Sequence, residues 1–209
     1  MRLRNVKGKE NIIKNSKYIV LNPKDYKSKW NELFGNNNPI YIEIGMGKGK
    51  FIFENALKFP NINFIGIEKF DSVITRALQR VEESNISNLK MIRIDALELN
   101  EIFSKEIDRI YLNFSDPWPK KKHSKRRLTS NVFLKIYDDV FKDLKEIHLK
   151  TDNKGLFSYS IESLSEYGYT LKNVSLDLKN EEIDNITTEY EEKFMGKNIF
   201  INRLEATKK

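Results

Sequence analysis

From Pro39 onward the chain alternates short runs of β-branched and aromatic residues with stretches whose apolar positions recur at helical spacing. That alternation is the pattern of βαβ units. Seven runs read as strands: Ile40 to Ile44, Asn63 to Ile67, Lys90 to Ile94, Arg109 to Phe114, Glu146 to Lys150, Tyr169 to Asp177 and Asn198 to Leu204. Between them, Val73, Ile74, Ala77, Leu78 and Val81 share one helical face, as do Val132, Phe133, Ile136, Tyr137, Val140 and Phe141. Thr129-Ser130-Asn131 supplies N-cap chemistry for the second of these helices, and a third is expected from about Lys154 to Tyr167, closing before Gly168. The pattern predicts an α/β fold: a doubly wound, mostly parallel sheet with helices on both faces. Residues 179–197 lack clear periodicity and read as a long polar loop, a kind of segment that often carries function. No internal repeat or linker divides the chain, so one domain is expected over residues 1–209, with residues 1–35 as an N-terminal extension.

Composition narrows the chemistry. At 209 residues the chain is long enough to bury a real core, and it has no cysteine, which excludes disulfides and thiolate metal sites. Its two histidines, His123 and His148, stand too far apart for metal-ligand spacing, so no metal is expected. No apolar run approaches the roughly 18 residues of a membrane span, and the N-terminus continues polar, so no membrane association and a cytoplasmic location are expected.

The net charge of +7 is unevenly placed. Lys120, Lys121, Lys122, Lys125, Arg126 and Arg127 form one cluster, and Arg2, Arg4, Lys7 and Lys9 a second, while the remainder of the chain is net negative. Two concentrated basic patches suggest a polyanionic partner.

Doubly wound sheets bind ligands at the carboxyl ends of their strands, where strand order reverses. The first strand runs into Glu43-Ile44-Gly45-Met46-Gly47-Lys48-Gly49, a turn through which a ligand can approach backbone at a helix N-terminus. The second ends in Glu68, 23 residues beyond Gly45, placed to accept hydrogen bonds from ribose hydroxyls. The third ends in Asp95-Ala96, where the acid can take an adenine amine or cap a helix starting near Leu97. Glycine turn and two acids in this order suit an adenosine-containing ligand. Glu43 can either hold the turn in shape or face that ligand.

The fourth strand runs into Asn113-Phe114-Ser115-Asp116-Pro117-Trp118-Pro119-Lys120-Lys121-Lys122-His123-Ser124-Lys125-Arg126-Arg127-Leu128. This segment resembles the signature of the bacterial tRNA (guanine-N7-)-methyltransferases, the TrmB family. So do the glycine turn, Gly66-Ile67-Glu68-Lys69, Leu149-Lys150-Thr151-Asp152-Asn153 and Thr188-Glu189-Tyr190-Glu191-Glu192-Lys193-Phe194, all in family order from the Met1-Arg2-Leu3-Arg4 start. One departure is visible: the turn Phe141-Lys142-Asp143-Leu144-Lys145-Glu146 lacks the glycine common in the family.

The resemblance implies a Rossmann-like class I fold with a seven-stranded sheet. It implies methyl transfer from S-adenosyl-L-methionine to N7 of a guanosine in the variable region of tRNA, position 46 in standard tRNA numbering. By motif, Asp116 would be catalytic. Glu43, Gly45, Gly47, Gly49, Glu68, Lys69, Asp95, Ala96, Asn113 and Asp116 would line the cofactor site. Lys120, Asp152, Thr188, Glu189, Tyr190 and Glu191 would bind substrate, and Lys122, His123, Ser124, Lys125, Arg126 and Arg127 the RNA. No obligatory protein partner is inferred, and either a monomer or a homodimer is compatible.

Physical chemistry agrees with that assignment. Guanine N7 carries an in-plane lone pair and no proton, so the reaction needs alignment and charge stabilisation rather than a general base. Carboxylates such as Asp116 and Asp152 suit the task, and Pro117 and Pro119 stiffen the turn that carries Asp116. Trp118 either stacks on the base or caps the core. The rival readings are an NAD-dependent oxidoreductase, which leaves the Asp-Pro-Trp-Pro and polybasic segment unexplained, and a non-catalytic tRNA-binding protein.

Overall fold

The computed structural model describes residues 8–181, 183–194 and 199–209. Arg2, Arg4 and Lys7 of the N-terminal basic patch, and Asn198, lie outside the described residues.

In chain order the strands are β1 (Ile19–Val20), β2 (Ile40–Ile44), β3 (Asn63–Ile67), β4 (Leu89–Ile92), β5 (Arg109–Asn113), β6 (Lys145–Thr151), β7 (Thr170–Ser175) and β8 (Asn202–Lys208). The helices are α1 (Lys9–Asn15), α2 (Trp30–Phe34), α3 (Lys50–Lys58), α4 (Asp71–Val81), α5 (Leu99–Ile102), α6 (Asn131–Val140), α7 (Lys154–Glu166) and α8 (Glu189–Phe194). All seven expected strands are present, with ends moved by a few residues. β8 shifts most, starting at Asn202 and running to Lys208.

The described residues form one sheet of eight strands in the order β1-β4-β3-β2-β5-β6-β8-β7. The eighth is β1, a two-residue edge strand parallel to β4 and too short to leave a periodic pattern. The first six strands of that order run parallel, and β8 is antiparallel to both β6 and β7. From β2 the chain winds outward to β3 and β4, then returns to place β5 and β6 on the other side. The reversal point is therefore the crevice between the carboxyl ends of β2 and β5.

β3 is buried at every position, as expected where helices cover both faces. Alternation along the strands divides the core. Ile42, Ile65 and Leu112 pack with Phe133 and Tyr137 of α6 on one face. Phe64 and Tyr111 pack with Phe51 and Ile52 of α3 and Leu78 of α4 on the other. Residues before β2 join this core: Trp30 is fully buried, and its indole donates to the Ile102 carbonyl at 3.1 Å.

The turn that lacks the family glycine is held another way. Phe141, extended at φ −66°, pairs in parallel with Ile107, and the Lys142 amide donates to the Ile107 carbonyl at 2.9 Å. No left-handed residue is needed there. Residues 179–197 correct the sequence reading, because their described part contains α8. The signal was present: Thr188 and Glu191 form a reciprocal capping box, with the Thr188 amide donating to Glu191 Oε2 (2.8 Å) and the Glu191 amide to Thr188 Oγ1 (3.1 Å).

Candidate active site

A cleft of about 530 Å³ opens at the reversal point. Gly45, Glu68, Lys69, Asp95 and Ala96 form one wall, and Phe114, Ser115, Asp116, Trp118, Lys125 and Arg126 the other. All of these follow the carboxyl ends of β2 to β5, Lys125 and Arg126 on the long connection from β5 to α6, which is why a single crevice collects them.

The glycine turn is shaped for a ligand. Gly45 and Gly47 have φ of 76° and 60°, and a Cβ at either would meet no atom within 4 Å, so open space lies over both. Gly49 also has positive φ (74°), but its α-carbon faces protein: an added Cβ would stand 3.0 Å from the Ala77 side chain of α4. The first two glycines thus admit a ligand to the backbone, while the third seats the turn against a helix.

Glu68 is buried beside this turn, its Oε1 accepting from the Phe70 amide at 3.0 Å. Burial raises its carboxyl above the ordinary range, against the amides of Phe70, Lys69 and Gly47. Asp95 is the cap foreseen as an alternative. Its Oδ1 accepts from the Leu97 amide at 3.1 Å, while its own amide donates to Glu98 Oε1 at 3.2 Å. It nonetheless lines the cleft, with Lys69 Nζ 3.8 Å from Oδ2. Exposed Phe70 and Leu97 add apolar surface at this rim. Acids for ribose hydroxyls, an apolar rim and an open glycine turn fit the adenosine half of S-adenosylmethionine.

Glu43 is 2% exposed and lies under the turn rather than in it. Its Oε1 accepts from the Asn113 side-chain amide at 2.9 Å, and its Oε2 is buried without a partner. Burial pushes the carboxyl up to about 7, although Asn113 and the nearby Lys150 ammonium favour the anion.

Asp116 stands exposed on a braced turn. Phe114 and Trp118, two residues to either side, have φ of 49° and 42°, a left-handed conformation uncommon for such side chains. The brace is Arg127, whose Nε and Nη2 donate to the carbonyls of Pro117 and Trp118, each at 3.1 Å, while the guanidinium packs on the Tyr159 ring at 4.3 Å. Arg127 therefore shapes the loop. Arg126 instead covers the Trp118 indole at 4.8 Å, and His123 meets that ring edge-on at 5.9 Å. Trp118 is partly exposed at the cleft wall, not in the core.

Residues Lys121–Arg126 form a 3-10 helix with Lys120 at its N-cap. Among the described residues, no carboxylate pairs with any cation of this run, so its charge is left for an outside partner. Ser130 holds the N-cap position of α6 as expected, but its hydroxyl donates to the Lys125 carbonyl at 3.0 Å and so anchors the basic run.

Asp152, just past β6, and Thr188, Glu189, Tyr190 and Glu191, at and in α8, form a separate group of contacts. Tyr190 stacks on Phe114 with ring centres 4.7 Å apart, and its hydroxyl donates to Asp152 Oδ2 at 2.9 Å. Thr188 and Glu191 are buried in the capping box, and Glu189 Oε1 accepts from Arg80 at 2.7 Å. Beneath them Lys150, 7% exposed, donates to Asn185 Oδ1, the Ile186 carbonyl (2.9 Å) and Glu191 Oε2 (3.4 Å). Burial lowers the Lys150 ammonium's pKa, while Glu191 opposes that shift.

Residues 37–204 match the family model described as "Putative methyltransferase". The tRNA (guanine-N(7)-)-methyltransferase of Geobacillus sp. (strain WCH70) is 53% identical over 209 residues, covering 99% of this chain and 95% of that one. The chain belongs to the tRNA (guanine-N7-)-methyltransferase family. The member from Bacillus subtilis (strain 168) is 53% identical over 93% of this chain and 92% of its own. That from Streptococcus suis (strain 05ZYH33) is 50% identical over 99% of both.

Solved structures support the class I methyltransferase fold. An antibiotic related methyltransferase superposes with TM-score 0.68 at 18% identity, covering 88% of this chain and 93% of that one. A mutant of the 16S rRNA (adenine(1408)-N(1))-methyltransferase from Catenulisporales acidiphilia, solved with cosubstrate SAM, gives 0.61 at 14% identity over 90% and 92%. Membership in this methyltransferase family removes the oxidoreductase reading, and S-adenosylmethionine is the cofactor that the cleft fits.

Proposed function

We propose that this chain transfers the methyl group of S-adenosylmethionine to N7 of a guanosine in the variable region of tRNA, at position 46, giving 7-methylguanosine. The supporting observation is that Asp116 lines one cleft with Glu68 and Asp95 and with Lys125 and Arg126 of the unneutralised basic run.

The bound cofactor supplies an electrophilic methyl. Glu68 and Asp95 would hold its ribose and adenine, and Gly45 and Gly47 would let it lie close to backbone. Lys120, Lys122, Lys125 and Arg126 position phosphates, with His123 and Ser124 on the same 3-10 turn. Asp116 and Asp152 take the N1–H and amino edge of the guanine or face its imidazole ring, where charge develops as N7 becomes cationic. No proton leaves, so neither acid acts as a base. Tyr190, now on Asp152, gives that acceptor to the base when tRNA enters.

We take residues 1–209 to act as one cytoplasmic methyltransferase domain with no obligatory protein partner, as monomer or homodimer. Among the described residues, no helix is long and apolar enough to cross a membrane.

The decisive experiment is transfer of labelled methyl to tRNA lacking 7-methylguanosine, followed by digestion and mapping. Label in 7-methylguanosine at position 46 is expected. Label at another nucleoside would overturn the site, and cofactor binding without any transfer would favour the non-catalytic reading.

A further inference from the structure

α4 carries Arg80 in its last turn, on the side facing both the glycine turn and α8. Its Nε donates to the Lys48 carbonyl at 3.2 Å, and its Nη2 donates to Glu189 Oε1 at 2.7 Å. One planar guanidinium thus holds a carbonyl of the cofactor turn and the first residue of the helix that bears Tyr190. Lys48 lies between Gly47 and Gly49, both at positive φ, so the held carbonyl belongs to the left-handed part of the turn.

A second cation repeats the connection from the other side of Gly49. Lys50 donates to the Thr187 carbonyl (3.3 Å) and Oγ1 (3.0 Å), and pairs with Glu192 at 3.0 Å and Glu54 at 2.8 Å. Residues 187, 189 and 192 are therefore fastened to residues 48 and 50. The opposite side of the same segment rests on β6, through Lys150 beneath and Asp152 at its end. Side-chain bonds thus hold the glycine turn and residues 187–192 to one another.

We propose that Arg80 is a positioning residue that couples the two halves of the site, so that a filled cofactor site raises affinity for tRNA and bound tRNA raises affinity for the cofactor. The inference rests on the guanine-N7 transfer proposed above. Linkage requires that both effects have one size. Arg80 touches neither ligand in this scheme. Its removal is expected to cut the coupling, with Lys50 keeping the remainder, while leaving each separate affinity in place.

The test is a binding square measured with S-adenosylhomocysteine and a tRNA transcript lacking 7-methylguanosine. In the wild-type chain each ligand is expected to tighten the other roughly tenfold. In Arg80→Gln the factor is expected to fall to about threefold, with single-ligand affinities held within about threefold. Lys50→Met cuts the parallel link, and Arg80→Gln with Lys50→Met together are expected to lose more coupling than Arg80→Gln alone. Undiminished coupling in Arg80→Gln, or none in the wild-type chain, overturns the inference while leaving the functional reading intact. A wild-type chain that binds both ligands and transfers no methyl overturns the functional reading instead, and the inference with it.

Discussion

Asn113 donates to one oxygen of the Glu43 carboxylate at 2.9 Å, and the other oxygen is equally enclosed and unpartnered. Because burial outweighs that bond and the pull of Lys150, the carboxyl titrates at about 7 in the folded chain against 4.5 in its ordinary state. Between those values the folded chain holds more protons than the unfolded one. Its stability therefore falls as pH rises through the window, and the loss is complete above the folded value. Glu43→Gln, neutral throughout, is expected to match the wild-type chain near the bottom of the window and to exceed it by up to about 3 kcal/mol above the top. Urea unfolding across the pH range checks this, and a difference that does not vary with pH would reject it.

Asp116 is exposed at the cleft, so its replacement leaves packing alone. Asp116→Asn keeps the shape and removes the charge. Turnover is expected to fall by roughly 100-fold or more, with tRNA affinity within about twofold, because the anion matters most when N7 becomes cationic. Single-turnover kinetics beside filter binding separates the two quantities, and equal losses in both would assign Asp116 to ground-state binding.

The two adjacent arginines are expected to behave differently. Arg126→Ala removes a cation with no carboxylate partner among the described residues, so tRNA affinity should drop and the slope of log K against log salt should shrink by about one unit. Arg127→Ala removes the brace on Pro117 and Trp118, so turnover should drop with the salt slope unchanged. Identical salt slopes for both variants would contradict the division of roles.

Lys150→Met leaves the buried Glu191 of α8 without its cation. Removing one member of such a pair is expected to cost about 3 kcal/mol in urea unfolding. Adding Glu191→Leu should recover part of that, and a double variant less stable than the single one would show that the pair is not what holds the segment.

Much of this architecture was legible in the chain because the central strands are continuous apolar runs and α4 and α6 each have one apolar face. β1 was invisible, since two residues carry no period. α8 was missed because its apolar face is short, although Thr188 and Glu191 carried a capping signature. In the site, Asp116 and the basic run stood out by composition alone. Lys150 did not, because a lysine between Leu149 and Thr151 reads as the outward position of an alternating strand, and only the three-dimensional path of residues 185–191 encloses it. Arg80 likewise reads as the solvent face of an amphipathic helix, and its two acceptors are far from it in sequence.

The place of β8 bears on how the enzyme comes into being. It is the last described strand in the chain, yet it lies between β6 and β7, so β7 has nothing to pair with until residues 202–208 arrive. A nascent chain emerging from the ribosome can assemble β2 to β5 and the cofactor crevice early, while the strand bearing Lys150 and Asp152 still lacks its outer neighbour. The platform that Lys150 offers beneath α8 is thus completed only when residues 202–208 close the sheet between β6 and β7.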